Sequence, residues 1–126
     1  MKEKGRFGLG LSKATDVLWN TDGVCIEDLK ARDVLVVVTN NTYCFKMLDS
    51  RGNALVTSNG PHITEPTVRK IAGATFGGSI IKAGWILLGC YLELNRYLEF
   101  EKIVLTRVRS ICLNGKKMMP LQKEVQ

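Results

Sequence analysis

The chain has 126 residues, of which 45% are hydrophobic and 24% are charged, a composition typical of a soluble globular protein. This length fits a single domain over residues 1–126 and supports a core that needs no disulfide or metal to hold it. The net charge of +6 favours encounters with polyanions or anionic surfaces.

The positive charge is concentrated in the second half of the chain. Residues 1–63 carry eight basic and seven acidic side chains, whereas residues 64–126 carry ten basic and five acidic ones. The net charges of the two halves are therefore +1 and +5. This asymmetry places an expected polyanion contact in the second half.

The cysteines indicate a reduced, cytoplasmic protein. Cys25, Cys44, Cys90 and Cys112 include no Cys-x-x-Cys pair, and a single histidine leaves no zinc site of usual spacing. In apolar surroundings, free cysteine behaves as a small hydrophobic residue. The N-terminus has no long apolar segment typical of a signal peptide. We therefore expect no metal and no cofactor.

The first predicted elements are short. Residues 1–11 are basic and glycine-rich and are expected to be loose, and Ser12 can cap a short helix that ends near Trp19. A β-branched strand follows at Val34–Val38, and Asn40 and Asn41 tolerate the backbone of a tight hairpin turn.

This turn predicts a register for the hairpin. With Asn40 and Asn41 as a two-residue loop, the partners that share the apolar face are Val38 with Tyr43, Val36 with Phe45, and Val34 with Met47. A further turn at residues 49–53, with Gly52 in a left-handed conformation, leads to a short third strand at residues 54–57. Residues 58–67 contain two prolines and a glycine, which excludes a central strand there.

Residues 71–93 form the longest apolar stretch, and two interpretations compete. Its length approaches that of a membrane span, but Gly77, Gly78 and Lys82 interrupt it and its residue types favour strands. The favoured alternative is a hairpin in which residues 68–81 and 85–94 pair across a loop at residues 82–84. In this hairpin Gly84 takes a left-handed conformation.

The last predicted strand spans residues 102–113. Strict alternation places Val104, Val108 and Cys112 on a core face, with Arg107 and Arg109 on the opposite face. Six strands and at most one short N-terminal helix predict an all-β, mostly antiparallel fold, either a small barrel or a two-sheet sandwich. The expected β core spans residues 30–113, and residues 114–126 are expected to be a tail.

One segment carries a resemblance. Residues 73–86, with Thr-Phe-Gly-Gly-Ser at 75–79 and Gly-Trp-Ile at 84–86, resemble a segment of small, uncharacterised bacterial β-proteins. A strand that opens at Asp33 and an ending near Val108 agree with this resemblance, which covers about residues 30–113. It implies a bacterial β-protein and brings no function with it.

Candidate chemistry is sparse. His62 lies in a predicted loop with Glu65 nearby, and Ser79 follows two glycines whose N–H groups can face an anion. Together these three residues define a possible pocket. No nucleophile of suitable spacing and no pair of matched carboxylates accompanies them, so we predict no catalytic residue.

The basic side chains of the second half give the favoured hypothesis. If several of them share a face with Trp85, Tyr91 or Tyr97, they form a stacking and phosphate surface of the kind that binds single-stranded nucleic acid. The alternative is a solvated face with charges that protect strand edges. The candidate polyanion-binding residues are Arg107, Arg109, Arg96, Lys82, Lys116 and Lys117.

Three functions follow in order of preference. The first is a non-enzymatic binding module for nucleic acid or another polyanion. The second is a structural or adaptor module that assembles with itself, for example as a homodimer, or with a protein partner. The third is a small-ligand or enzymatic site near His62.

Overall fold

A computed structural model describes residues 22–76, 80–96 and 102–119. The predicted N-terminal helix and the loose basic segment 1–11 lie outside these residues. The described part contains eleven strands and one 3₁₀ turn, Ile26–Asp28. The strands are β1 Gly23–Cys25, β2 Val34–Val38, β3 Thr42–Met47, β4 Asn53–Ser58, β5 Thr67–Thr75, β6 Ile81–Ala83, β7 Trp85–Leu87, β8 Tyr91–Arg96, β9 Lys102–Leu105, β10 Ser110–Leu113 and β11 Lys116–Met119.

The strands form two antiparallel sheets of unequal size. The large sheet follows the path β11-β10-β2-β3-β4-β5-β8-β9, and β6 pairs with β5 beside this path. The small sheet consists of β1 and β7. The prediction of an all-β, mostly antiparallel fold is confirmed. The strands also extend beyond the expected core of residues 30–113, since β1 precedes it and β11 follows it.

The β2–β3 hairpin is present, but its predicted register was wrong by one residue. Val38 pairs with Thr42, and the same register places Val37 opposite Tyr43. The loop therefore has three residues, because Thr39 leaves the strand, donates its N–H to the Asn41 carbonyl at 2.8 Å and is buried. As a result the buried residues of β2 are Leu35 and Val37, and the other three valines are half-buried.

The apolar stretch forms four strands rather than the two predicted. Gly84 has the expected positive φ of 76°, but it connects β6 in the large sheet to β7 in the small sheet. Gly89, with a φ of 82°, then returns the chain to β8, which pairs with β5. The predicted pairing of the two segments is present between β5 and β8, from Arg69 with Arg96 to Thr75 with Tyr91. It does not continue to a turn at residues 82–84, because β6 pairs with β5 and β7 pairs with β1. Among the described residues no helix has the length and apolarity needed to cross a bilayer.

The last predicted strand is interrupted. Residues 106–109 leave the ladder between β9 and β10, so the buried residues are Leu105, Val108 and Ile111, and Val104 is 42% exposed. The core face that strict alternation assigned to Val104, Val108 and Cys112 was therefore right for Val108 and wrong for Val104, and Cys112 is only half-buried. The path of described strands has two ends, β11 and β9, so the fold is not a closed barrel, which was one of the two architectures predicted from the sequence.

The continuous segment 102–113 nevertheless links the two ends of the sheet. β9 pairs with β8, and β10 pairs with β2. Between them, Val108 accepts a hydrogen bond from the Gly89 N–H at 2.8 Å, and the Arg109 N–H donates to the Val38 carbonyl at 2.6 Å. One segment therefore contacts both halves of the large sheet.

The expected count of six strands was too low for two reasons. Each of the three long predicted strands, at residues 68–81, 85–94 and 102–113, is divided in two by a turn or an interruption. Strands β1 and β11 were not predicted at all, because they are short and pair with β7 and β10 through backbone hydrogen bonds. Three-residue and four-residue strands have too few side chains to show an alternation.

Most buried side chains form one core between the sheets, to which every strand from β1 to β5 contributes. A smaller cluster, which we call the second cluster, contains Ala74, Leu87 and Cys90. Phe76, Ile80 and Trp85 pack against it.

Candidate functional site

Three aromatic side chains and two cations lie around the second cluster. Phe76 follows β5, Trp85 opens β7 and Tyr91 opens β8, and each of them is half-buried. Lys82 comes from β6, and Arg107 comes from the interruption between β9 and β10. We call these five residues the aromatic–cation face.

Arg107 contacts two rings of this face at once. Its guanidinium carbon lies 5.4 Å from the centroid of the Tyr91 ring and 5.8 Å from that of Phe76. The interruption of the strand brings it there, because Val108 is fixed by backbone hydrogen bonds to Gly89 and Cys90, next to Tyr91 in the chain. Arg107 itself remains exposed. Such cation–aromatic contacts contribute about 0.5–1 kcal/mol each at exposed sites and orient the guanidinium.

Lys82 forms the second cation–aromatic contact. Its ammonium nitrogen lies 4.1 Å from the centroid of the Trp85 ring. Gly84, between these two residues, has the positive φ that turns the chain. Since Phe76 and Trp85 both pack on the second cluster, the two cation–aromatic contacts share one support.

Glu93 on β8 forms an ion pair with Lys102 of β9. Its carboxylate oxygen lies 3.9 Å from the Lys102 ammonium nitrogen.

The thiol of Cys90 lies beneath this face and is not a nucleophile. Burial raises its pKa, and the nearby charge of Arg107 lowers it by a smaller amount. A thiol with a raised pKa is not ionised at neutral pH, and the thiolate is the reactive form. The buried cysteine therefore acts as a small apolar residue.

The predicted basic residues are only partly brought together. Arg109 turns away from the rings and donates through Nη2 to the Asn40 amide oxygen at 3.3 Å. Lys116 and Lys117 are exposed on β11, at the outer edge of the sheet. Arg96 is the last residue of β8. Of the predicted residues whose side chains the structure describes, Arg107 and Lys82 therefore belong to the aromatic–cation face.

The possible pocket near His62 gains no support. His62 and Glu65 are both exposed in the loop between β4 and β5, and within the described residues neither side chain has a hydrogen-bond or ion-pair partner. Ser79 lies outside the described residues. No group of three His, Cys, Asp or Glu side chains in the described ranges could hold a metal ion.

Two depressions lie on the surface, and Trp85 of the aromatic–cation face lines the second one. One, of about 400 Å³, is lined by Thr42, Cys44, Thr57, Ser58 and Asn59 on β3 and β4 and contains no charged group. The other, of about 290 Å³, lies between the small sheet and the β10–β11 region, and Asp28 is its only titratable acid. Neither brings together groups with matched catalytic roles.

Sequence reasoning missed two features. It did not assign Phe76 to the stacking surface, although this ring precedes a glycine pair and follows a buried strand. It also did not single out Arg69, whose side chain is only 7% exposed. The alternation of β5 could have indicated this, because Arg69 and Ile71 are two residues apart and lie on one face.

Comparisons with family models, with curated proteins and with solved structures give no match. The resemblance of residues 73–86 to small bacterial β-proteins therefore stays a prediction.

Proposed function

We propose that the chain is a non-enzymatic binding module that takes single-stranded nucleic acid, or a related polyanion, on the aromatic–cation face. The observation that carries the proposal is the position of Arg107 over both the Tyr91 and the Phe76 rings. A guanidinium held in this way keeps N–H donors for a phosphate, and half-buried rings beside it can stack on bases.

The charge of the chain supports the same proposal. The second half carries the excess of ten basic over five acidic side chains, and this half contains the whole aromatic–cation face. Such an excess draws polyanions towards the molecule from a distance, whereas the rings act only on contact. Affinity from the charges weakens as salt rises, and affinity from stacking depends much less on salt.

The test measures binding of a fluorescent single-stranded oligonucleotide and of heparin over a range of salt concentrations. We expect Arg107→Glu to weaken oligonucleotide binding by about tenfold or more and to reduce the salt slope by about one. The double variant Arg107→Glu with Arg109→Glu is expected to weaken it further.

Two matched variants separate charge from stacking. Arg51→Glu makes the same charge change at an exposed turn between β3 and β4, and it should change affinity by less than about twofold at moderate salt. Tyr91→Leu removes one ring without a charge, so it should weaken oligonucleotide binding and leave heparin binding nearly unchanged. No retention on either polyanion at low salt, or equal losses in Arg51→Glu and Arg107→Glu, overturns the proposal.

A further inference from the structure

One arginine is buried, and two nitrogen atoms of its guanidinium have no partner among the residues that the structure describes. Arg69, the third residue of β5, is only 7% exposed. Its Nε and Nη1 atoms are buried and have no hydrogen-bond acceptor. These two atoms carry three of the five N–H donors of the guanidinium.

Such a group is costly to leave uncompensated. Arginine is almost never buried unless its charge is paired, and a buried donor without an acceptor loses its hydration without replacement. A lysine in this position could become neutral by losing a proton. The guanidinium cannot, because it stays protonated in proteins. The charge of Arg69 therefore requires a negative group from elsewhere.

The described strand neighbours of Arg69 supply no such group. Directly opposite on β4 stands Ala54, and Met47 of β3 follows in the same cross-strand row. Neither of these side chains carries a charge. On the other side the backbone of Arg69 pairs with that of Arg96 in β8.

We propose that Arg69 is the centre of an internal binding site for a small oxyanion, of which inorganic phosphate is the prototype. At this site the oxyanion accepts N–H···O bonds from Nε and Nη1 of Arg69 and balances its charge. Because the guanidinium is almost completely enclosed, the occupant is a small free anion and not the backbone of a nucleic acid. The site is therefore separate from the aromatic–cation face and does not depend on the function proposed there.

The first experiment measures thermal unfolding of the wild type with increasing phosphate while sodium chloride keeps the ionic strength constant. Millimolar concentrations are used, since at higher concentrations phosphate stabilises proteins in general by exclusion from their surface. We expect a saturable rise in Tm of roughly 5–10 °C when phosphate exceeds its Kd about a hundredfold. Acetate in place of phosphate shows whether the site prefers a tetrahedral oxyanion to a carboxylate.

Two variants make the result specific. Arg69→Met keeps an unbranched chain and removes the charge, so it should abolish the phosphate-dependent rise, and without phosphate it should be at least as stable as the wild type. Arg107→Glu changes an exposed arginine of the aromatic–cation face, and it should keep the full rise in Tm. Equal phosphate responses in Arg69→Met and the wild type overturn the proposal.

If Arg69→Met does not fold, an NMR measurement on the wild type alone tests the proposal. The Nε–H resonance of Arg69, followed by NMR during a phosphate titration, should shift in a saturable manner because Nε acquires an acceptor. An unchanged resonance, together with an unchanged Tm, overturns the proposal.

Discussion

Asp49 organises the turn between β3 and β4. Its carboxylate accepts hydrogen bonds from the backbone N–H of Arg51 at 2.8 Å and from the Asn53 amide nitrogen at 2.7 Å. A third bond comes from the backbone N–H of Asn53 at 3.2 Å. The Asn53 amide is the main cause that lowers the pKa of Asp49, and partial burial opposes it. The turn is therefore stabilised by the ionised form of one side chain.

This arrangement predicts how stability depends on pH. A carboxyl group whose pKa is lower in the folded state contributes stability that is fully present above its unfolded pKa, about 3.9. The contribution is lost as the pH falls through the lower, folded value. The asparagine side chain of Asp49→Asn does not titrate, so the variant lacks this pH-dependent contribution to stability. We expect the wild type to exceed the variant in unfolding free energy at pH 6 and the difference to shrink on acidification.

Urea unfolding of the two proteins at a series of pH values between 6 and about 2 checks this sign. A difference that stays constant over this range, or that grows on acidification, contradicts the role given to the Asp49 carboxylate.

Among the elements, β5 approaches β6 closely at Gly73. Gly73 has a φ of 149° and pairs both with Ala83 of β6 and with Glu93 of β8. A Cβ at this position would meet the Lys82 carbonyl oxygen and would lie 2.9 Å from the Ala83 Cα. Glycine is therefore required here by the approach of backbone to backbone as well as by the conformation.

Gly84 provides the matched comparison for Gly73. It also has a positive φ, of 76°, but a Cβ there has no atom within 4 Å. We expect Gly84→Ala to cost about 1 kcal/mol of unfolding free energy, from the conformation alone. Gly73→Ala adds a clash with backbone and should cost about 3 kcal/mol or more.

Urea denaturation of both variants gives these costs. Equal costs for the two substitutions would mean that β6 can move away from β5. The claim that the β6 backbone requires glycine at position 73 would then be wrong.

These elements also show how far the sequence alone could lead. The β-branched run of β2, the turn around Gly52 and the positive φ of Gly84 were predictable because each depends on neighbouring residues. The register of β2 with β3 was not, because Thr39 leaves the strand to bond with Asn41 and adds one residue to the loop. In the candidate site, the meeting of Arg107 with Tyr91 depends on an interruption that only the fold imposes. The burial of Arg69 likewise depends on its strand neighbours.

At the scale of the whole molecule, segment 102–113 is the link between the two ends of the large sheet. Val108 lies at its centre and is 2% exposed, whereas Val104, four residues earlier, is 42% exposed. Val108 therefore packs in the interior of the link, whereas Val104 does not, although strict alternation would place the two valines on one face.

Substitution of each valine by alanine, in separate variants, measures how much the link contributes to the free energy of unfolding. Val108→Ala should cost about 2 kcal/mol of unfolding free energy, because it removes buried methyl groups and leaves a cavity. Val104→Ala should change it by no more than about 0.5 kcal/mol. Hydrogen exchange should show amides of both β2 and β8 losing protection together in Val108→Ala.

If Val104→Ala cost more unfolding free energy than Val108→Ala, the result would favour an uninterrupted strand over residues 102–113. Loss of protection in β8 alone would mean that the two halves of the sheet unfold independently.

The link at segment 102–113 also constrains the order in which the chain can fold. Strands β2 to β5 are joined by short connections and can pair as soon as they leave the ribosome, but β2 completes its pairing only with β10. Val38 meets Ser110, which is synthesised 72 residues later. Contacts of such separation form slowly, and until they form one edge of β2 stays open to other strands. The nascent protein is therefore most prone to aggregate before β10, at residues 110–113, emerges.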